Sequence, residues 1–74
     1  MRRYVYVNLC PVLSKSGNRS LELREEGTNK LLAWEWYPDA RAEEMGRALA
    51  SLRRLAAAED WQVSAGVKAY DLPL

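Results

Sequence analysis

The stretch PDARAEEMGRALASLRRLAAAEDW, from Pro38 to Trp61, is the only segment long enough to pack against all the others. At about 100° per residue, Ala42, Met45, Ala48, Leu49, Leu52, Leu55 and Ala56 fall on one side, the spacing of a helix with one buried stripe. Glu43, Glu44, Arg47, Ser51 and Arg54 fall on the other side. Asp39 has the short carboxylate of an N-cap, and Pro38 disfavours a helical Tyr37, so the pattern predicts a single helix over 38–61. Glu43 and Arg47 stand four apart in the favourable orientation for a surface ion pair.

The flanking segments alternate in character, as strands do. Tyr4–Leu9 is rich in β-branched and aromatic residues. Pro11 and the Ser14–Asn18 run then supply turn chemistry. Arg19–Glu25 and Lys30–Tyr37 face each other across the Glu26–Asn29 turn, and Gln62–Leu72 forms a last strand interrupted by Gly66. The order is β-β-β-α-β within one domain over residues 1–74. A right-handed crossover after the helix sets the fourth strand parallel to the first, in the order 3-2-1-4. The expected class is α+β: a four-stranded, mostly antiparallel sheet with one helix on one face.

With Val5, Val7 and Leu9 toward the helix, Tyr4 and Tyr6 point to the uncovered face. By the same alternation, Val63, Ala65, Val67 and Ala69 turn inward, leaving Ser64, Lys68 and Tyr70 outside. In the third strand Leu32, Trp34 and Trp36 make the more apolar inward set, leaving Glu35 and Tyr37 outside, and Trp61 closes the helix end. The open face then holds Tyr4, Tyr6, Tyr37 and Tyr70 among Glu22, Arg24, Glu35 and Lys68. Tyrosines among mixed charges suit protein recognition, since each ring offers area and a polar tip tolerates water. Glu43, Arg47 and Arg54 on the helix form a second candidate surface.

Several chemistries are disfavoured. The chain has no histidine and one cysteine, Cys10, so it lacks the commonest acid/base group and any intrachain disulfide. No nucleophile has a visible base, and the Ser14–Asn18 run lacks P-loop spacing. The strand order resembles the opening half of the ribonuclease H fold, with Glu43 or Glu44 and Asp71 at two of its carboxylate positions. Asn8 stands where its first strand needs an aspartate, which removes a two-metal site. We therefore expect no catalytic residue, metal or cofactor. Eleven basic against ten acidic residues leave a net charge of +1, too small for binding nucleic acid by bulk charge. The N-terminal segment has no apolar run of signal or membrane length, so a cytoplasmic protein with no membrane contact is expected.

Short, nearly neutral, without catalytic residues and built as one sheet with one helix, the chain resembles the small phage-encoded inhibitors, anti-CRISPR proteins among them. The Tyr4/Tyr6/Tyr37/Tyr70 face is the docking surface in that comparison. The resemblance implies stoichiometric binding to a protein of a bacterial complex in the host cytoplasm, blocking nucleic-acid access or nuclease recruitment. A homodimer through the open face is a second expectation for the partner. The alternative is a nucleic-acid-binding regulator that stacks bases on the same tyrosines.

Overall fold

A computed structural model describes residues 3–72. Strands β1 (Tyr4–Leu9), β2 (Asn18–Glu25) and β3 (Leu31–Pro38) are followed by a 3₁₀ segment (Asp39–Glu44), helix α1 (Met45–Ala58) and β4 (Gln62–Lys68). The sheet order is β3-β2-β1-β4. The β2 strand runs antiparallel to both of its neighbours, and β4 runs parallel to β1. The expected α+β architecture is therefore observed. One helix lies on one face, and Val5, Val7, Leu21, Leu23, Tyr37, Ala48, Leu52 and Ala56 form the core between them.

The helix is shorter than its periodicity suggests. Arg41 takes a non-helical conformation (φ −123°, ψ 63°), and the regular helix begins at Met45. Asp39 does not cap it. Its carboxylate instead accepts bonds from Arg19 Nε at 3.2 Å and Nη2 at 2.9 Å, while its N–H donates to the Gly17 carbonyl at 3.0 Å. Those ties hold the chain in strand-like company one residue beyond β3, so the turn that follows is tight and irregular. Glu43 does not pair with Arg47 either; Arg47 Nε lies 3.4 Å from Glu44 Oε1, one turn back. Gly46, a glycine inside this helix, has open space around its Cβ position, so no close approach to the sheet requires it. At the far end, Asp60 adopts φ 56°. The Trp61 N–H reaches the Ala56 carbonyl at 2.9 Å and the Asp60 N–H reaches Ala57 at 3.1 Å, the paired closure of a Schellman motif. Trp61 then packs against the core beneath the Arg3 guanidinium, 5.2 Å from its ring centroid.

Two strands depart from simple alternation. Along β4, Val63 pairs with Val5 but Val67 pairs with Val7, so β4 spends two extra residues over the same length of β1. Gly66, at φ 83°, provides the kink. Both valines consequently pack on the core, whereas Ala65 and Ala69, expected inward, are exposed. In β3 Leu32 packs on the core as expected, but a register shift beside it leaves the expected phase reversed from Ala33 onward. Leu23 pairs with Ala33, Leu21 with Glu35 and Arg19 with Tyr37. Cross-strand partners share a face, so fully buried Leu21 and Leu23 draw residues 33, 35 and 37 to the helix side. Tyr37 is thus a core residue, and Trp34 and Trp36 stand on the open face at 54% and 47% exposure. Glu35 is accommodated on the helix side by Ser51 Oγ at 3.1 Å and Arg47 Nη1 at 3.9 Å.

Candidate binding groove on the open sheet face

On the face opposite α1, alternation places Tyr6 and Asn8 of β1 beside Glu22 and Arg24 of β2. These polar groups are buried: none is more than 4% exposed. They are also satisfied. Arg24 grips Glu22 as a fork, Nε to Oε1 at 3.0 Å and Nη2 to Oε2 at 2.9 Å, and its Nη1 donates to the Asn29 carbonyl at 2.8 Å. Asn8 Nδ2 donates to Glu22 Oε1 at 2.9 Å. The hydrogen bonds that Arg24 donates to Glu22, more than the attraction of the Glu22 charge, push its guanidinium above its ordinary pKa.

What covers this strip is the chain beyond β4. The Asn8 amide accepts from the Tyr70 N–H at 2.7 Å and donates to the Tyr70 carbonyl at 2.9 Å, imitating a backbone pair with a side chain. The Tyr70 ring sits edge-on to Tyr6, with centroids 6.2 Å apart. Tyr6 OH donates to Asn29 Oδ1 in the β2–β3 turn. Among the described residues, no buried side-chain nitrogen or oxygen lacks a partner. The open face is therefore sealed at its centre.

Beside the seal lies an apolar groove of about 520 Å³. Its outer wall is Leu31, Trp34 and Trp36 of the edge strand β3, and Val12 and Leu13 from the β1–β2 loop also line it. Ser20 and Glu22 of the sheet form the floor, and Asp71, Leu72 and Cys10 belong to the lining. Because both Glu22 oxygens are already engaged by Asn8 and Arg24, the floor presents no free carboxylate. The β1–β2 loop is braced by Arg19 Nη1 on the Pro11 carbonyl at 3.2 Å and by Ser14 Oγ accepting from the Asn18 N–H at 2.9 Å. Val12 (62% exposed) and Leu13 (43%) are thereby held up as apolar surface rather than folded into the core. Such a groove suits apolar or aromatic side chains; it offers no paired acid and base. Among the described residues there is no cluster of three or more histidine, cysteine, aspartate or glutamate side chains able to hold a metal.

The residues singled out from the sequence do not form one surface. Tyr4 (61% exposed), Tyr70 (50%) and Lys68 are accessible, whereas Tyr6, Glu22 and Arg24 are buried in the polar strip. Tyr37 and Glu35 lie on the helix side, with Tyr37 in the core. Glu43 lies in the 3₁₀ segment, and exposed Arg47 and Arg54 lie on α1. Trp34, Trp36, Val12 and Leu13 were not expected to face outward together. The two tryptophans at i and i+2 necessarily share a face, but periodicity alone does not say which one.

Burial raises the Tyr6 phenol above its ordinary value of 10.0, partly offset by the positive charge of Arg24; Glu26, Tyr70 and Glu22 add to the rise. A raised folded pKa favours the neutral, donating phenol. The associated stability is complete below the unfolded value and is lost as pH climbs through the folded one. The urea midpoint is expected to fall as pH rises past the unfolded value of 10.0 and through the higher folded one, and Tyr6→Phe should flatten that fall. At neutral pH, Tyr6→Phe costs about 0.5–1.5 kcal/mol for the missing bond to Asn29. An alkaline profile unchanged by the substitution would assign the loss to other groups.

Compared with family models, with curated proteins and with solved structures, the chain matches none. Among the described residues, no helix is long and apolar enough to cross a membrane.

Proposed function

We propose that this chain is a non-catalytic module that binds another protein stoichiometrically, with the groove beside Trp34 and Trp36 receiving the partner's apolar side chains. The observation that carries this is the pair of half-exposed indoles on a sheet face whose polar centre is already sealed. Burying them in the core would have been favourable, and tryptophans left at a groove are the residue type that dominates protein interfaces. The resemblance to small phage-encoded inhibitors supports, as the proposed partner, a component of a bacterial nucleic-acid-processing complex, blocked by occupancy rather than by chemistry.

The test compares wild type with Trp34→Ala/Trp36→Ala for capture of a partner from nuclease-treated bacterial lysate. Each indole is worth about 2 kcal/mol or more as an interface anchor, so the double variant should lose at least a hundredfold in affinity while remaining folded. A partner retained equally by both proteins would sink the groove as the binding surface.

The exposed indoles also support a second reading, base stacking on single-stranded nucleic acid. Against it, Arg3, Arg19, Arg24 and Arg47 are all engaged by carboxylates. Binding to an oligonucleotide that falls steeply with added salt would favour this reading over the first.

A further inference from the structure

The two edges of the sheet are protected differently. The β4 edge is kinked by the Gly66 bulge and carries Lys68, devices that discourage a further strand. The β3 edge has eight residues, no lysine, and a proline only at its last position.

Backbone directions along β3 follow from two hydrogen bonds. The Cys10 N–H donates to the Ser20 carbonyl at 2.9 Å, so Ser20 directs its backbone groups toward β1. Trp36, its antiparallel partner on β3, must then point its own N–H and C=O away from β2, to the outer edge. Arg47 Nη2 agrees, reaching the Trp36 carbonyl from outside at 3.1 Å. Trp34, two residues earlier in unbroken register with Glu22, points the same way.

We propose that β3 is the interface of a two-fold dimer, a second copy adding its own β3 antiparallel to complete an eight-stranded sheet. The proposal goes beyond the binding reading and does not depend on what the groove accepts. A two-fold axis at Glu35 pairs Trp34 of each copy with Trp36 of the other, and each such pair exchanges two N–H···O bonds. All four indoles then lie side by side on the open face, between the two grooves.

Charge makes the edge complementary to itself. On the helix side each copy presents Glu35 with Arg47 beside it, 3.9 Å apart and both partly exposed. The axis brings the two glutamates together across the new ladder, where alone they would repel. The two Arg47 side chains, released from the Trp36 carbonyls, supply equal opposite charge at the same place. An unrelated strand would have to bring its own counter-charge; a second copy carries it already.

The experiment is sedimentation equilibrium of the full chain from low to high micromolar concentration. The expected species has twice the 8.5 kDa mass of the chain. Trp36→Pro removes an N–H that points outward and takes no part in the β2–β3 ladder, so it should give a folded monomer. Glu35→Arg surrounds the axis with four arginines and should also dissociate the dimer, and Glu35→Arg/Arg47→Glu should restore it. If Trp36→Pro fails to fold by near-ultraviolet circular dichroism, the Glu35 pair of variants decides. A wild-type monomer at every concentration overturns the proposal, as does a dimer that persists in Glu35→Arg.

Discussion

Arg24→Met is expected to destabilise the protein by about 3–5 kcal/mol, the cost of leaving a buried partner charge uncompensated. A 74-residue domain has roughly 4–11 kcal/mol in total, so the variant should sit close to unfolding. The reason lies in the geometry around Glu22. Its side chain is 3% exposed, and with Arg24 gone only the Asn8 amide remains to bond it. The companion experiment is Glu22→Leu/Arg24→Met, which removes both charges. That double variant should recover much of the loss, because the penalty comes from the orphaned carboxylate and not from the net worth of the pair. Urea unfolding followed by tryptophan fluorescence measures both. A loss under about 1 kcal/mol in Arg24→Met would mean that water reaches Glu22 and that the tail does not seal this face.

That polar strip also marks where the sequence stopped being informative. The order of elements, the parallel return of β4 and the core identities of Val5, Val7, Leu21, Leu23, Ala48, Leu52 and Ala56 were legible, because each follows from a period of 2 or 3.6. Glu22 and Arg24 looked like solvated face residues for the same reason: they alternate with Leu21 and Leu23. Their burial depends on Tyr70, held by Asn8 from 62 positions away, and no local pattern records that contact. The phase of β3 failed differently. Trp34 and Trp36 outweigh Ala33, Glu35 and Tyr37 in apolar area, so hydrophobicity favoured turning them inward. The register with β2 decided otherwise, and the helix side then accepted Glu35 because Ser51 and Arg47 were there to meet it. The candidate groove exists because of that reversal. At Asp39, an acceptable cap was diverted by Arg19, a competitor 20 positions away and invisible to a window of neighbouring residues.

Leu52→Ala should cost about 2–5 kcal/mol, toward the upper end of that range. Leu52 is 2% exposed at the middle of the helix stripe, and the residues one turn away on either side are Ala48 and Ala56. Both are already at minimum size, so neither can lean into the space the missing side chain leaves. The sheet opposite is held by its ladder. With little means of collapse, most of the cavity should persist, and the persistent cavity is what raises the cost above simple transfer. Leu55→Ala is the control. The same periodicity assigned Leu55 to the stripe, but the helix presents it at 39% exposure, so its loss should stay below about 1 kcal/mol. Equal losses in the two variants would show that α1 is rotated from the orientation described, which would also move Ser51 and Arg47 away from Glu35. A large loss confined to Leu52 fixes the helix face, and with it the inward position of residues 33, 35 and 37 that turns Trp34 and Trp36 to the groove.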